Sequence, residues 1–458
     1  CLHTSLVEME AFCLKQSFQL QGLCQKMMHS SLKYVSYKNA AAEMRQEAAT
    51  WCLLRHLFFE KPVFDTHSQG ITTCVLSQMV TQAVLSDAKL TDLANVVSWL
   101  EFLAGLDQDE SPSKVPRVGS GDGVWLETKT QAGIGNGGVV TEMDPDAPIR
   151  EGKGLSKENT KDNEKLLQVV WSFLRSGRLR DACNICRECG QPWRAASLAA
   201  GSGAGPTAVG EAAASQTLDP MFSEKECEAA SDEYDVDPGL RRFLWKLSCH
   251  AISESASPSA SPDAAVGGDK PLYEAATYGM LCGDVRRAVP ACASWEDVLW
   301  AHCRSLLERK VDDTIGETIP PNQSWIAWQE KRPENTPKSL AEIFGTIENV
   351  DFAHVAQEKR QMQRQIQAFL ILKDYPSLLA GLRKWILHPS DHITGEFSFA
   401  EPPASPSMMR FAAHLVLFLR FLGIVDYSNE DNEFSEDQDL VNKILQVYII
   451  HLMDTEQH

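Results

Sequence analysis

The sequence predicts an all-α chain, and three observations carry that expectation. Apolar residues recur at three- and four-residue spacing along most of its length, which lines one face of a helix with about 3.6 residues per turn. No sustained two-residue alternation bounded by hairpin turns is found, so little sheet is expected. Hydrophobic residues make up 43% of 458 positions, enough for a large core and too many for a chain disordered as a whole.

The elements follow in order. Ala40, Met44, Ala48, Trp51, Leu54 and Phe58 line one helical face. Leu93, Val96, Val97, Leu100 and Leu103 repeat the pattern, as do Leu167, Val170, Trp171 and Leu174. It returns in Trp295, Val298, Leu299, His302 and Leu306, then in Met362, Ile366, Phe369 and Leu370. The last instance is Leu440, Ile444, Val447 and His451. From Phe411 to Leu422 the chain is strongly apolar but holds His414 and Arg420. A membrane span needs about twenty such residues with few charges, so a buried core helix is expected there.

Composition divides the chain into helical blocks at 1–106, 165–310 and 338–458. Residues 107–164 read as a loop rich in Gly and acids that leads into the sequence DPDAPIR, and 311–337 as a connector. Segments 107–138, 199–238, 251–270, 388–407 and 425–438 favour Gly, Ser, Ala, Pro and acids. Such residues bury too little apolar surface to offset the entropy of ordering, so these segments are expected to be mobile.

A weak internal repeat supports a stacked architecture. Gly177, Leu179, Ala182 and Cys186 recur as Gly283, Val285, Ala288 and Cys292, a constant offset of 106 residues. Each copy sets a glycine, the natural left-handed helix cap, directly before another helix. Antiparallel helix pairs joined by tight turns are the unit of an α-solenoid. A globular bundle fits the same pattern.

Charge and cysteine usage narrow the function. With 43 Lys+Arg against 62 Asp+Glu, the net charge is −19, which argues against binding nucleic acid by neutralising phosphates. The 13 cysteines are scattered through helical stretches, so reduced, buried thiols in a cytosolic or nuclear protein are expected. The chain starts at Cys1 without a visible secretory pattern, and is expected to be a fragment or to lack its first residues.

Few residue groups suggest chemistry. Cys183, Cys186 and Cys189 form a C-x2-C-x2-C run. An iron–sulfur or zinc site needs a further ligand at suitable spacing, which does not follow. A buried helical face with thiols acting as small apolar groups is the better reading. Gly133, Gly135 and Gly138 satisfy G-x-G-x-x-G, but polar sequence precedes them, whereas a dinucleotide fingerprint needs a buried strand there. Ser-Pro pairs at Ser111, Ser257, Ser261 and Ser405 fall in the segments expected to be mobile, where they suit either proline-directed phosphorylation or ordinary linker composition.

One set of stretches says more than the arithmetic. VVTEMDPDAPIR from Val139 is followed, after a helix, by RLRDACNICRECGQPWRAASLA. Then come Arg241-Arg242-Phe243-Leu244-Trp245-Lys246-Leu247-Ser248-Cys249 and YEAATYGMLCGDVRRAVPACASWEDVLWAHCRSLLE. QAFLILKDYPSLLAGLRKWI and MMRFAAHLVLFLRFLGI continue the series, with Val97-Ser98-Trp99-Leu100-Glu101 and the region from Gln46 to Leu57 before it. In this order they resemble the 107-kilodalton nucleoporin family, scaffold components of the Y-shaped outer ring of the nuclear pore. The resemblance lapses over the first forty residues and in the insertions at 199–238, 251–270 and 388–407.

The resemblance implies a place in the nuclear pore complex at the nuclear envelope. It implies no catalysis and a role in pore assembly and hence in transport of protein and mRNA; on the residues themselves, no cofactor and no membrane span are expected. It also implies an irregular α-solenoid that folds back through a crown, here 165–310, onto an antiparallel trunk. The ninety-six-kilodalton nucleoporin would pack at the crown, and the 133-kilodalton one would bind a C-terminal tail expected to lie beyond this chain. Trp171, Trp193, Trp245, Trp295 and Trp300 crowd one block, and tryptophan beyond core needs is typical of interface anchors. Trp193 and Trp245 read as core, which leaves Trp171 and Leu174, with Leu167 one turn before, as contact candidates. The alternatives are a related vesicle-coat scaffold and, from another class, a metal- or thiol-dependent enzyme built on Cys183, Cys186 and Cys189.

Overall fold

A computed structural model describes residues 2–27, 32–60, 75–110, 125–135, 137–199, 207, 238–256, 272–319, 322–333, 337–348, 361–387, 406–425 and 436–456. Among these, the regular elements are helices, and the one β-feature is an isolated bridge between Val139 and Gly154. The helices begin with α1 (Leu2–Gln25), α2 (Leu32–Phe58), α3 (Val75–Ser86), α4 (Ala88–Glu110), α5 (Leu126–Gly133) and α6 (Ala147–Glu151). Next come α7 (Lys157–Arg175), α8 (Leu179–Glu188), α9 (Pro192–Ala199), α10 (Pro238–Ser255), α11 (Leu272–Cys282) and α12 (Val285–Ala288). The last are α13 (Trp295–Thr318), α14 (Gln323–Lys331), α15 (Leu340–Glu348), α16 (Met362–Leu372), α17 (Tyr375–Leu387), α18 (Pro406–Phe421) and α19 (Glu436–Glu456).

The chain divides into two compact units, Cys1–Arg55 with Arg360–His458, and His56–Lys359. This division differs from the composition blocks: residues 56–106 and 338–359 fall in the second, central unit.

In the first unit, the expected face of α2 is inside: Met44, Ala48, Trp51 and Leu54 are buried with Ile366, Leu370, Phe411 and Leu415. Trp51 meets Phe411 edge-on, with ring centroids 5.2 Å apart. A polar seam crosses this core, where Gln367 Nε2 donates to Thr50 Oγ1 at 3.0 Å and Thr50 donates to the Gln46 carbonyl at 2.9 Å. Each buried amide or hydroxyl there needs such a partner to offset its desolvation. Arg410 closes on Glu47 at 2.6 Å. No described helix is long and apolar enough to cross a membrane, α18 included.

The central unit is organised around α13. Ser294 caps it by accepting from the Asp297 amide at 3.2 Å, which satisfies one of the free donors of the first turn. Most of α13 from Trp295 to Glu308 is buried, including the polar His302, Arg304 and Ser305. It packs on α3, α4, α11 and α15. A helical stretch with nearly every residue buried is core to its unit rather than a surface element.

The internal repeat has a common physical cause. After α7, the Gly177 amide donates to Leu174 O at 3.1 Å and Arg178 to Phe173 O at 2.8 Å, with Gly177 at φ 71°. After α11, Gly283 donates to Met280 O at 3.1 Å and Asp284 to Gly279 O at 2.7 Å, with Gly283 at φ 82°. Both are paired left-handed caps that satisfy the last carbonyls and start the next helix at once. The copies then diverge. α8 continues to Glu188, whereas α12 ends at Ala288 and gives way to a 3₁₀ turn at Val289–Ala291, because Pro290 has no amide to donate and crowds the preceding turn.

Several segments are more structured than composition suggests. Within 107–138, α5 forms and is held by polar anchoring: the Thr128 amide and hydroxyl both donate to Asn159 Oδ1, at 2.7 and 2.8 Å. Ser156 N donates back to Thr128 Oγ1 at 3.0 Å. Within 311–337, α13 runs on to Thr318 and α14 follows, capped by Asn322 and packed through Trp325 and Trp328. Residues 251–255 complete α10, 406–407 open α18 and 436–438 open α19. The remainder of 199–238, 251–270, 388–407 and 425–438 lies outside the described residues, apart from Ala199, Thr207, Pro238, Ala256 and Val425.

The approach of α14 to α13 sets up a test of packing against propensity. A Cβ on Gly316 would lie 2.3 Å from the Trp325 ring. In an open helix Gly→Ala stabilises by up to about 1 kcal/mol. Here Gly316→Ala is expected to destabilise by about 1–3 kcal/mol through overpacking, read as a lowered midpoint in chemical denaturation.

Candidate functional site, an ion-paired core in the central unit

Helical spacing on two neighbouring elements builds the main polar constellation. On α10, Arg242 and Lys246 are one turn apart; on α13, Arg304, Glu308 and Asp312 are each one turn apart, so each set projects from one face. Arg242 reaches Asp312 through Nε and Glu308 through Nη2, both at 2.7 Å. Lys246 Nζ sits 2.7 Å from Glu308 Oε2, and Arg304 Nη2 3.1 Å from Glu308 Oε1. The chain extends to α4, where Glu101 Oε1 accepts from Arg304 at 3.2 Å and from Trp300 Nε1 at 3.1 Å. Thr207 closes it from another segment, its amide donating to Glu308 Oε1 at 2.7 Å.

The groups are almost fully buried: Arg242 and Lys246 at 0%, Glu308 at 1% and Asp312 at 2% exposure. Burial raises the Glu308 carboxyl, but Lys246, Arg242 and Arg304 outweigh it and hold the group well below the usual carboxylate range. Glu101 moves the other way, because its burial outweighs the help it receives from Arg304 and Trp300. His302 is pushed down to about 4 by burial alone, so it is neutral at pH 7. Paired cations and carboxylates of this kind fix the register of two helices and leave few lone pairs for a substrate.

The three cysteines are placed as a structural face. Cys183, Cys186 and Cys189 are all buried, and Cys183 Sγ is 3.5 Å from the Ala195 carbonyl. Cys189 stands one residue past the end of α8, at its C-cap. Burial pushes the Cys186 thiol up to about 12 and also raises Cys189, so neither is an activated thiolate nucleophile. Among the described residues no group of His, Cys, Asp and Glu is arranged to hold a metal ion. Gly133 ends helix α5, and Gly135 and Gly138 follow it, so a helix rather than a buried strand precedes the motif.

The proposed contact residues are buried within this chain. Leu167, Trp171 and Leu174 are 0%, 5% and 7% exposed, so they face the interior of this chain. Trp171 meets Trp300 edge-on at 5.7 Å between centroids, and the Arg175 guanidinium lies 5.1 Å from the centroid of the same Trp300 ring. Trp295 and Trp300 lie on the buried stretch of α13 and Trp171 packs on Trp300, whereas Trp193, on α9, is only half-buried. On the central unit the large apolar side chains that do reach solvent include Leu244 and Ile326, at 49% and 50% exposure. Leu244 lies off the α10 face carrying Arg242 and Lys246, a spacing that could have pointed to it. Ser111, Ser257, Ser261 and Ser405 lie outside the described residues.

Capped helix pairs stacked about a buried helix, with their strongest charge pairs locked inside the core, define an α-helical scaffold protein. The model of the family described as Nuclear pore protein 84 / 107 matches residues 41–458. The chain belongs to that family and is a nucleoporin. It is 25% identical to the Nuclear pore complex protein Nup107 of Homo sapiens, over 91% of this chain and 42% of the relative. Against the protein of the same name from Mus musculus it is 23% identical, over 98% of this chain and 44% of the relative. Nucleoporin nup107 of Schizosaccharomyces pombe is 24% identical over 69% of this chain and 33% of the relative. The chain thus spans less than half the length of these relatives.

Proposed function

We propose that this chain acts as a non-catalytic structural scaffold in the outer ring of the nuclear pore complex, and that its chief partner is the ninety-six-kilodalton nucleoporin, met helix against helix on the central unit. The observation that carries this reading is the family match over residues 41–458, joined to a core whose charges are spent on fixing helices. A scaffold must hold helix faces in constant relative position, and the pairs of Glu308 and Asp312 with Arg242 and Lys246 do that between α10 and α13. Leu244 and Ile326 are the contact residues we assign in place of Trp171 and Leu174, since they combine apolar area with exposure.

Co-purification tests both levels of the proposal. The chain should capture the ninety-six-kilodalton nucleoporin, with the 133-kilodalton one as the comparison. Leu244→Asp with Ile326→Asp should lower the affinity at least tenfold while the helical spectrum stays unchanged. Unaltered affinity would move the surface elsewhere, and absence of capture by the unchanged chain would remove the partner.

A further inference from the structure

Beside the ion-paired core lies a small cavity of about 20 Å³, whose walls include Ser305, Arg309 and Asp312 of α13, Trp328 of α14, and Arg332 just after it. Gly283, which caps α11, also lines it, with Cys282 and Pro333. Arg309 Nη1 is buried and has no hydrogen-bond partner among the described residues. A buried charged donor left without an acceptor is costly, so its orientation calls for a guest that accepts. The other walls say what else the guest does. Ser305 Oγ donates to the Gly283 carbonyl at 2.6 Å, which leaves its lone pairs to accept. Asp312 takes bonds from Arg242 Nε at 2.7 Å and Trp328 Nε1 at 3.2 Å, and a carboxylate has about four acceptor positions.

Charge and size then select the ligand. An anion would meet the Asp312 carboxylate, and a cation would meet the guanidiniums of Arg309 and Arg332. A neutral guest that both accepts and donates suits every wall. A single water needs roughly 10–15 Å³ of such space and two to four polar partners, and the cavity offers both with little to spare. We infer that this cavity is the binding site of one ordered water, which accepts from Arg309 and donates to Asp312 or Ser305. Its partners all lie on α13, so the water carries the hydrogen bonding of the ion-paired core along that helix from Asp312 out to Arg309.

A crystal structure of the 458-residue chain at a resolution that shows ordered solvent tests this, with a second data set from crystals soaked in sodium bromide. The expected result is a solvent peak within hydrogen-bond distance of Arg309 Nη1, without anomalous bromide signal, that is lost in Arg309→Leu. A dry cavity, an Nη1 bonded to a protein group, or bromide in the site would each overturn the assignment. Should Arg309→Leu fail to fold, the two data sets on the unchanged chain decide alone.

Discussion

Glu308→Gln is expected to destabilise the central unit by about 3–5 kcal/mol, the loss that follows when one partner of a buried ionic group is removed. The carboxylate binds Arg242, Lys246 and Arg304 within 3.1 Å and accepts the Thr207 amide. Glutamine keeps the shape but not the charge, so three cations would share Asp312 and Glu101. Adding Lys246→Met to Glu308→Gln should recover part of the loss, because it removes the cation that depends on Glu308 most directly, at 2.7 Å. Equilibrium denaturation of the two variants measures this. A single variant as stable as the parent would mean that the cluster is hydrated rather than sealed.

The same residue fixes a pH dependence. Its carboxyl is held below the usual range, so its contribution is complete above the ordinary glutamate value of about 4.3 and is lost as pH falls through the folded value. Glu101, raised by burial, has the opposite sign, since its ionised form is disfavoured by folding. Glu308 has three cations around it and Glu101 chiefly Arg304, so the Glu308 contribution should dominate. Stability is expected to fall first as pH drops below about 6.5, because the unfolded chain takes up a proton that buried His302 resists. It falls again below about 4, where Glu308→Gln should show a flatter acid limb.

The ion-paired core was hardly legible from sequence, for a physical reason. Charges at four-residue spacing on α10 and α13 look like solvated helix faces, since exposed pairs use the same spacing. What distinguishes them is that the two stripes are complementary and lie within otherwise apolar helices, a relation visible only once α10 is placed against α13. Local periodicity carried more. Leu167, Val170, Trp171 and Leu174 form one buried face as their spacing required, and the cap glycines Gly177 and Gly283 stand where helices end. The same capping pattern also occurs at Lys373, φ 57°, which donates to Leu370 O at 3.1 Å. No rule of composition points to a lysine in that role. α5 escaped notice because Thr128 and Asn159 hold it by hydrogen bonds rather than by apolar area.

Changing Trp171 and Leu174 together to glutamate is expected to unfold the central unit. Truncating one buried tryptophan alone costs about 3–5 kcal/mol, and an uncompensated buried charge adds more. Trp171 loses its edge contact with Trp300, and the new carboxylates would enter a face shared with Leu167 and Val170, both at 0% exposure. Arg175 is at hand but already committed to Asp297 at 2.8 Å and to the Leu100 carbonyl at 2.7 Å, so it offers little rescue. Folded domains hold only about 5–15 kcal/mol in reserve, which a double substitution of this kind exhausts. Helicity by circular dichroism and protease resistance should therefore fall together with partner capture. A variant that keeps its helicity and melting midpoint yet no longer captures the ninety-six-kilodalton nucleoporin would restore Trp171 and Leu174 as contact residues, and would mean that α7 turns this face outward when the partner binds.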